Sequence, residues 1–431
     1  RSSDLYKGKY LAEVNGRYDG TSRFPRGKRY GFFPSFSAAY RISEEAFFEP
    51  LRKTVDNLKI RLSYGSLGNQ QIGYYDFIQT ITTKGSMGDY SFDGTILGQH
   101  ATVSDPVSGN QTWEKVISKN LGADLNMFSN RLSLTADFYI RDTKGILGKG
   151  KSLPSIYGAN EPQVNSNNLR TKGYELVLGW RDSFKLAGST FSYGITGTFS
   201  DYTAEYTKCD NPSGLIGGPY VGKKYGEIWG YKVDGLFRND EEAAEYASRV
   251  DLSKVAAGYY SATGAYGKGV RGGDIKYLDL DGSGIVDGGK GTLEDPGDRR
   301  VIGNSSPRYQ YGLTLNLSWY GFDLSVFMQG IGRLDWYPGA DNLRFWGPYS
   351  RPYATFIPKN FMSQVWSESN PDAYLPRARA YTSLNSTQGT AYYTNDRYLQ
   401  NLAYCRLKNL TLGYTIPKRL TSKVGIKECR V

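Results

Sequence analysis

Apolar residues recur at every second position over long stretches of this chain, and that period restricts most of it to β structure. Leu58, Ile60, Leu62 and Tyr64 alternate with Lys59, Arg61, Ser63 and Gly65. Leu132, Leu134, Ala136, Phe138 and Ile140 alternate with Ser133, Thr135, Asp137 and Tyr139. Phe191, Tyr193, Ile195 and Phe199 oppose Ser192, Gly194, Thr196 and Thr198. The longest such face is Tyr309, Tyr311, Leu313, Leu315, Leu317 and Trp319, set against Gln310, Gly312, Thr314, Asn316 and Ser318. Tyr174, Leu176, Leu178 and Trp180 form a further apolar set, as do Phe322, Leu324, Val326 and Met328, and Leu410, Leu412, Tyr414 and Ile416. Successive side chains of a strand point to opposite faces, so each stretch has one apolar face and one small or polar face.

Length and connection pattern then separate a membrane barrel from a soluble sandwich. The stretches run for roughly 10–14 residues, where a soluble strand averages about 5–6 and a tilted membrane strand needs about 9–11. Aromatic residues (Tyr64, Trp180, Tyr309, Trp319, Tyr414) sit at the ends of the apolar faces, where an interfacial girdle belongs. Eleven strands are expected, at 8–19, 31–42, 56–66, 114–128, 131–143, 171–181, 190–203, 307–319, 322–332, 401–416 and one starting at 425. The links between them alternate in length. Ser129-Asn130 and Tyr320-Gly321 are two-residue turns, and 43–55, 182–189 and 417–424 are fairly short. The intervening links 67–113, 144–170, 204–306 and 333–400 are long, and only 20–30 is modest. Antiparallel strands place successive links at opposite ends, so short turns gather at one end and long loops at the other, as in outer-membrane barrels. Helices are expected inside two of the long links, at 241–249 and 358–368.

Composition narrows the function classes. The chain has 431 residues, among them 36 tyrosines and 52 glycines, and contains no apolar run near the roughly 20 residues of a spanning helix. Its mean hydropathy of −0.51 is as low as a soluble protein's, which a barrel with alternating faces also gives. The net charge of +11 comes without a basic run of five or more residues, which argues against nucleic acid. Three separated cysteines (Cys209, Cys405, Cys429) define no disulfide framework or zinc site, and a single histidine, His100, argues against histidine-based hydrolysis. The opening Arg1-Ser2-Ser3-Asp4 has no signal-peptide pattern and reads as the interior of a longer chain.

Several phrases, in order and spacing, resemble the SusC/RagA family of TonB-dependent transporters. They are Arg17-Tyr18-Asp19-Gly20-Thr21-Ser22-Arg23-Phe24 with Gly31-Phe32-Phe33-Pro34-Ser35-Phe36-Ser37, then Leu58-Lys59-Ile60-Arg61-Leu62-Ser63-Tyr64-Gly65 running into Gly68-Asn69-Gln70-Gln71-Ile72-Gly73. Gly273-Asp274-Ile275-Lys276-Tyr277 with Ile302-Gly303-Asn304, and Arg406-Leu407-Lys408-Asn409-Leu410-Thr411-Leu412-Gly413-Tyr414, complete the set. The resemblance implies an all-β fold, a transmembrane antiparallel β-barrel of about 22 strands with long extracellular loops, of which this chain supplies about 11. It implies localisation in the bacterial outer membrane and import of oligosaccharides or peptides, driven through TonB. It also implies a SusD-like surface lipoprotein as partner, in a dimer of such pairs. Residues 1–431 are read as one partial barrel domain, without the plug and TonB box of the family, since an odd count of antiparallel strands cannot close in lipid.

Two loop motifs are candidates for binding. Asp279-Leu280-Asp281-Gly282-Ser283-Gly284-Ile285-Val286-Asp287 matches the first nine positions of a calcium loop: Asp279, Asp281, Ser283, the Ile285 carbonyl and Asp287 fall at ligand positions, with glycine at the sharp turn. Position 12 is Lys290 where a glutamate belongs, and Glu294, Asp295 or Asp298 could substitute. The ion would stiffen the loop; no cofactor is required for transport, and a metal-free Asx/Gly turn is the plainer reading. The second motif mixes aromatic and charged residues: Trp336, Tyr337, Arg344, Trp346 and Tyr349 are candidates for ligand or partner contact, against simple loop packing, and the stretch 220–231 is read the same way. Asp137 and Glu175 share the polar face, where they read as wall electrostatics facing Lys59, Arg61 and Arg131 rather than as a glycosidase pair. No catalytic residues are expected. The leading expectation is active glycan import, with peptide import, a passive channel or a surface binding protein as alternatives.

Overall fold

The computed structural model describes residues 2–431 except 86–90, 93–94, 97–98, 151–152, 261–268, 352, 354, 356, 380–383 and 385–388. Eleven strands form one antiparallel sheet in which every strand pairs with its neighbours in sequence. They are β1 (Ser2–Tyr6), β2 (Tyr10–Gly20), β3 (Tyr30–Arg41), β4 (Val55–Asn69), β5 (Glu114–Met127), β6 (Leu132–Lys149), β7 (Gln163–Leu186), β8 (Ser189–Lys208), β9 (Arg308–Trp319), β10 (Phe322–Arg333) and β11 (Tyr404–Tyr414). The sheet is open, with β1 and β11 at its edges.

Each of the ten strands expected between residues 8 and 416 is present. The eleventh expected strand, starting at 425, forms only at its far end: residues 418–424 turn through short helices, and the last three residues then pair antiparallel with the end of β11, through a bridge between Thr415 and Arg430 and backbone hydrogen bonds of Tyr414 with Val431 and of Ile416 with Cys429. Its place in the count is taken by β1, whose five residues are too few to show a period. Three strands reach well past the expected ends. β7 has 24 residues, about 80 Å of extended chain, so β6, β7 and β8 project beyond a hydrocarbon layer of about 30 Å.

Register puts all the apolar sets on one face. Leu58 lies opposite Leu125, which lies opposite Leu134, which lies opposite Leu178. The same face continues through Ile195, Leu315, Val326 and Leu410. Large apolar side chains on it are open to the surroundings: Tyr18 is 69 % exposed, Phe138 55 %, Phe322 52 % and Leu412 68 %. A water-soluble monomer exposes no apolar area of this extent, whereas lipid covers it without cost. Stacked tyrosine pairs, Tyr10–Tyr40 and Tyr18–Tyr30, add to the aromatic content of this face.

Turn chemistry accounts for the short ends. Ala187 and Gly188 have φ of 50° and 84°, and Tyr320 and Gly321 have φ of 48° and 83°. Two consecutive left-handed residues make a type I′ hairpin, whose twist matches that of the strands. The link 182–189 therefore shrinks to two residues. Short links after β1, β3, β5, β7 and β9 share one end of the sheet; the longest, 209–307 and 334–403, share the other with 21–29, 70–113 and 150–162.

Those two longest links pack together as a separate head with its own core, centred on Phe237, Ile275, Tyr277, Trp346 and Tyr398, all fully buried. The expected helix at 241–249 is Asp240–Ala247, N-capped by the Asn239 side chain, which accepts the Glu242 N–H. At 358–368 only one turn forms, Phe361–Gln364. A smaller core of Phe24, Phe33 and Trp113 sits at the loop end of the sheet.

The facing rule makes a direct prediction. Leu315→Arg places a cation on the apolar face and is expected to destabilise the sheet in lipid by about 2–4 kcal/mol, whereas Thr314→Arg, one residue away on the polar face, costs about 1 kcal/mol or less. Urea unfolding in lipid vesicles, with both variants in the full-length chain, measures the difference; equal costs would refute the assignment of faces.

Candidate functional site

On the polar face of the sheet, charges are paired across strands. Arg61 donates to both oxygens of Asp124 (3.0 and 3.1 Å) and of Asp137 (3.1 and 3.0 Å). Lys59 adds a second cation at 2.8 Å from Asp124, and Asn120 donates to Asp137. The guanidinium lies over Gly122, where a Cβ would come within 2.7 Å of its carbon, so a side chain there would displace the cluster. Glu175 stands directly opposite Asp137 in register. Arg131 is elsewhere: it pairs with Asp182 beside the β5–β6 turn, and is not part of this cluster.

The head is organised around the phrase at 273–277. Gly273 has φ of +86° and lies flat on the Trp366 ring, where a Cβ would approach to 2.3 Å. Asp274 and Arg379 form a buried ion pair at 2.5 Å, and the guanidinium covers the Tyr259 ring at 4.1 Å. Burial pushes the Asp274 carboxyl up to about 6, against the pull of Arg379. Ile275 and Tyr277 enter the core while Lys276, between them, bridges Asp234 and Glu242.

A groove of about 520 Å³ opens in this head, lined by Trp229, Tyr231, Arg299, Tyr337, Tyr392 and Tyr393. The strand Glu227–Tyr231 carries the first two and pairs with Arg299–Asn304. Residues 394–396 are stapled alongside: Tyr231 donates its N–H to the Thr394 carbonyl, and the Asp396 side chain accepts the Val233 N–H. Tyr231 and Tyr393 meet edge to face at 5.9 Å. Tyr337 Oη donates to the Tyr393 carbonyl. Burial pushes the Tyr231 phenol up to about 12, so it stays neutral. Arg299 Nη2 donates to the Gly288 carbonyl while its Nε is buried without a partner among the described residues. Aromatic faces with one fixed guanidinium suit a planar or ring-shaped polar ligand.

Of the aromatic loop expected to make contacts, the structure divides the residues. Tyr337 lines the groove, Trp336 is 37 % exposed and Arg344 is exposed. Trp346 and Tyr349 are core residues instead, which corrects their reading as contact residues. Asn342 caps the turn Leu343–Trp346, and this turn drives Trp346 against Tyr398 at 5.0 Å. The Trp346 indole donates to the Pro338 carbonyl and the Tyr349 hydroxyl to that of Pro376. From the stretch 220–231, Trp229 and Tyr231 do reach the groove. Arg299, Tyr392 and Tyr393 escaped the sequence reading; the Tyr392-Tyr393 doublet was the available signal.

The aspartate loop folds as an Asx/Gly turn. Asp279 accepts the N–H groups of Gly282 and Gly284, Asp281 accepts that of Ser283, and Ser283 Oγ donates to the Ile285 carbonyl. Asp287 accepts the Gly289 N–H. Fully buried Asp298 reaches in from outside the nine residues and accepts from Leu280 and Asp287. One oxygen each of Asp279, Asp281 and Asp298 lies within 4.8 Å of the others, a spacing that could hold a hard cation. Asp287 is outside that triplet, and Lys290 lines the groove.

The comparisons with known proteins agree with the fold. No family model matches the chain. It is 28 % identical to TonB-dependent receptor P26 of Formosa agariphila over 100 % of its own length and 40 % of that receptor's. It is 26 % identical to receptor P3 of the same organism, over 99 % of this chain and 39 % of the receptor. SusC of Bacteroides thetaiotaomicron is 23 % identical over 94 % of this chain and 36 % of that receptor. Among solved structures, the RagAB peptide transporter superposes with a TM-score of 0.69 at 19 % identity, covering 99 % of this chain and 41 % of the other. The open-open state of the RagAB peptide importer gives 0.68 at 20 %. The resemblance to SusC/RagA-type transporters thus holds along nearly the whole chain, and the chain spans about two fifths of the length of these relatives.

Proposed function

We propose that the protein is part of a TonB-dependent importer of the bacterial outer membrane, and that its eleven strands make up one side of the barrel. The observation that carries this reading is the single apolar face running across all the long strands, with the longest links gathered at one end. The two free sheet edges would pair with further strands of a larger barrel, since unpaired backbone is untenable in lipid. The similarity to SusC and to the RagAB proteins supports a SusD-like surface lipoprotein as partner and TonB as energy source; a dimer of importer–lipoprotein pairs belongs to the same reading.

Oligosaccharide is the substrate class we favour, because the head groove offers tyrosine and tryptophan faces around Arg299. Peptide import is the second reading, favoured by the similarity to proteins described as peptide transporters. Growth of a strain whose only copy carries Tyr392→Ala and Arg299→Gln, on oligosaccharide or on peptide as sole nutrient, separates the two. The expected result is at least a tenfold loss of oligosaccharide binding by the purified full-length variant, equivalent to about 1.4 kcal/mol, with slowed growth on oligosaccharide only. A defect confined to peptide would reverse the choice. Unchanged growth on both would remove the groove from the transport path.

A further inference from the structure

Above the aromatic rows, the lipid-facing side of the sheet turns cationic. Register places Lys119, Ile140, Lys172 and Thr203 in one row across β5, β6, β7 and β8, on the same face as Leu121, Phe138 and Tyr174 in the row below. The next rows toward the loop end hold Ile117, Asp142, Arg170 and Glu205, then Lys115 and Lys144. Rows on one face stand about 7 Å apart and neighbouring strands about 4.8 Å, so five cations and two carboxylates share a patch on the order of 15 Å across. Arg170 is committed to Asp142 through both oxygens. Lys115, Lys119, Lys144 and Lys172 are exposed and form no ion pair among the described residues.

A groove of about 640 Å³ runs along the boundary, with Leu121, Phe138, Tyr174 and Asp201 in the row below it and Lys119 and Lys172 in the row above; at its lateral margin Arg308 is held by both oxygens of Asp201. Lys115 and Lys144 stand directly opposite each other on adjacent strands, an unfavourable like-charge pair, while Lys119 and Lys172 flank Ile140 at the edge of the groove; with Asp142 matched by Arg170, the patch keeps a net positive charge that an anionic group would complement. We propose that this patch is a binding site for a phosphate-bearing lipid of the outer leaflet, its headgroup held by Lys115, Lys119, Lys144 and Lys172 and its acyl chains lying in the groove. The inference rests on the reading of the apolar face as lipid-facing. Charge complementarity selects an anionic headgroup, and the apolar floor selects an amphiphile over a free anion.

The test uses the full-length protein in detergent, titrated with monophosphoryl lipid A, with the same lipid lacking phosphate, and with inorganic phosphate alone. Variants carry the four lysines as glutamine or as arginine, and heat-modifiable migration on gels monitors the barrel in each. Wild type and the arginine variant are expected to bind the phosphorylated lipid at least tenfold more tightly than the glutamine variant, with an affinity that falls as salt rises. The lipid without phosphate binds wild type and glutamine variant alike, and inorganic phosphate does not compete at millimolar concentration. Equal affinity of the glutamine variant and wild type for the phosphorylated lipid overturns the site. Full competition by inorganic phosphate overturns the amphiphile. A full-length protein that is soluble without detergent overturns the barrel reading itself, which separates that failure from failure of this site.

Discussion

Replacing Trp346 by alanine is expected to destabilise the head by about 3–5 kcal/mol, the range for removing a fully buried large aromatic side chain. Trp346 has no exposed surface and touches Phe345 and Tyr398 at 4.8 and 5.0 Å between ring centres. Its indole N–H also leaves the Pro338 carbonyl without a partner when removed. The effect is local: the strands pair with one another and do not need the head for their ladder. Limited proteolysis of the full-length variant in detergent is expected to cut within 209–307 and 334–403, while the heat-modifiable band persists. Cleavage no faster than wild type would show that the head core is not centred on this residue.

Asp274→Ala has the other large expected effect, also about 3–5 kcal/mol, by a different route. Arg379 is 6 % exposed and Asp274 1 %, so the substitution leaves a guanidinium buried without its counter-charge. Paired removal discriminates a charge effect from a packing effect. The double variant Asp274→Leu with Arg379→Met is expected to recover most of the loss, because apolar replacement of a buried pair is often close to neutral. Thermal unfolding of the two proteins decides it; a double variant as unstable as the single one would show that the lost contacts are steric.

The strands were legible because lipid enforces a strict period of two over the span it covers. Beyond that span the requirement lapses, and the period with it. β7 begins at Gln163, eight residues before the expected start, where Asn165, Ser166, Asn167 and Asn168 put polar residues on both faces and Val164 alone does not make a period. β1 differs: its five residues are too few to show a period at all. The head is the opposite case. Its parts were visible as phrases, Gly273 through Tyr277 among them, but their purpose depends on partners more than a hundred residues away: Tyr277 donates to the Thr390 carbonyl and Asp274 meets Arg379. Trp346 and Tyr337 lie nine residues apart in one loop, and no local pattern tells which of them turns inward. Likewise Gly31 and Gly68 stand out in the sequence, yet only packing shows that both make room for the Phe33 ring.

The separation of the two links that build the head has a bearing on the order in which the chain matures. Between them lies the hairpin of β9 and β10, so the head's core cannot close until the chain through Tyr398 has been delivered to the same side. Ring closure between Val233 and Asp396 spans 163 residues, and its entropy cost falls sharply once β8 through β11 are already side by side. The sheet therefore acts as a template for the head, and the head, once closed, ties the outer ends of four consecutive strands into one late-forming cooperative unit.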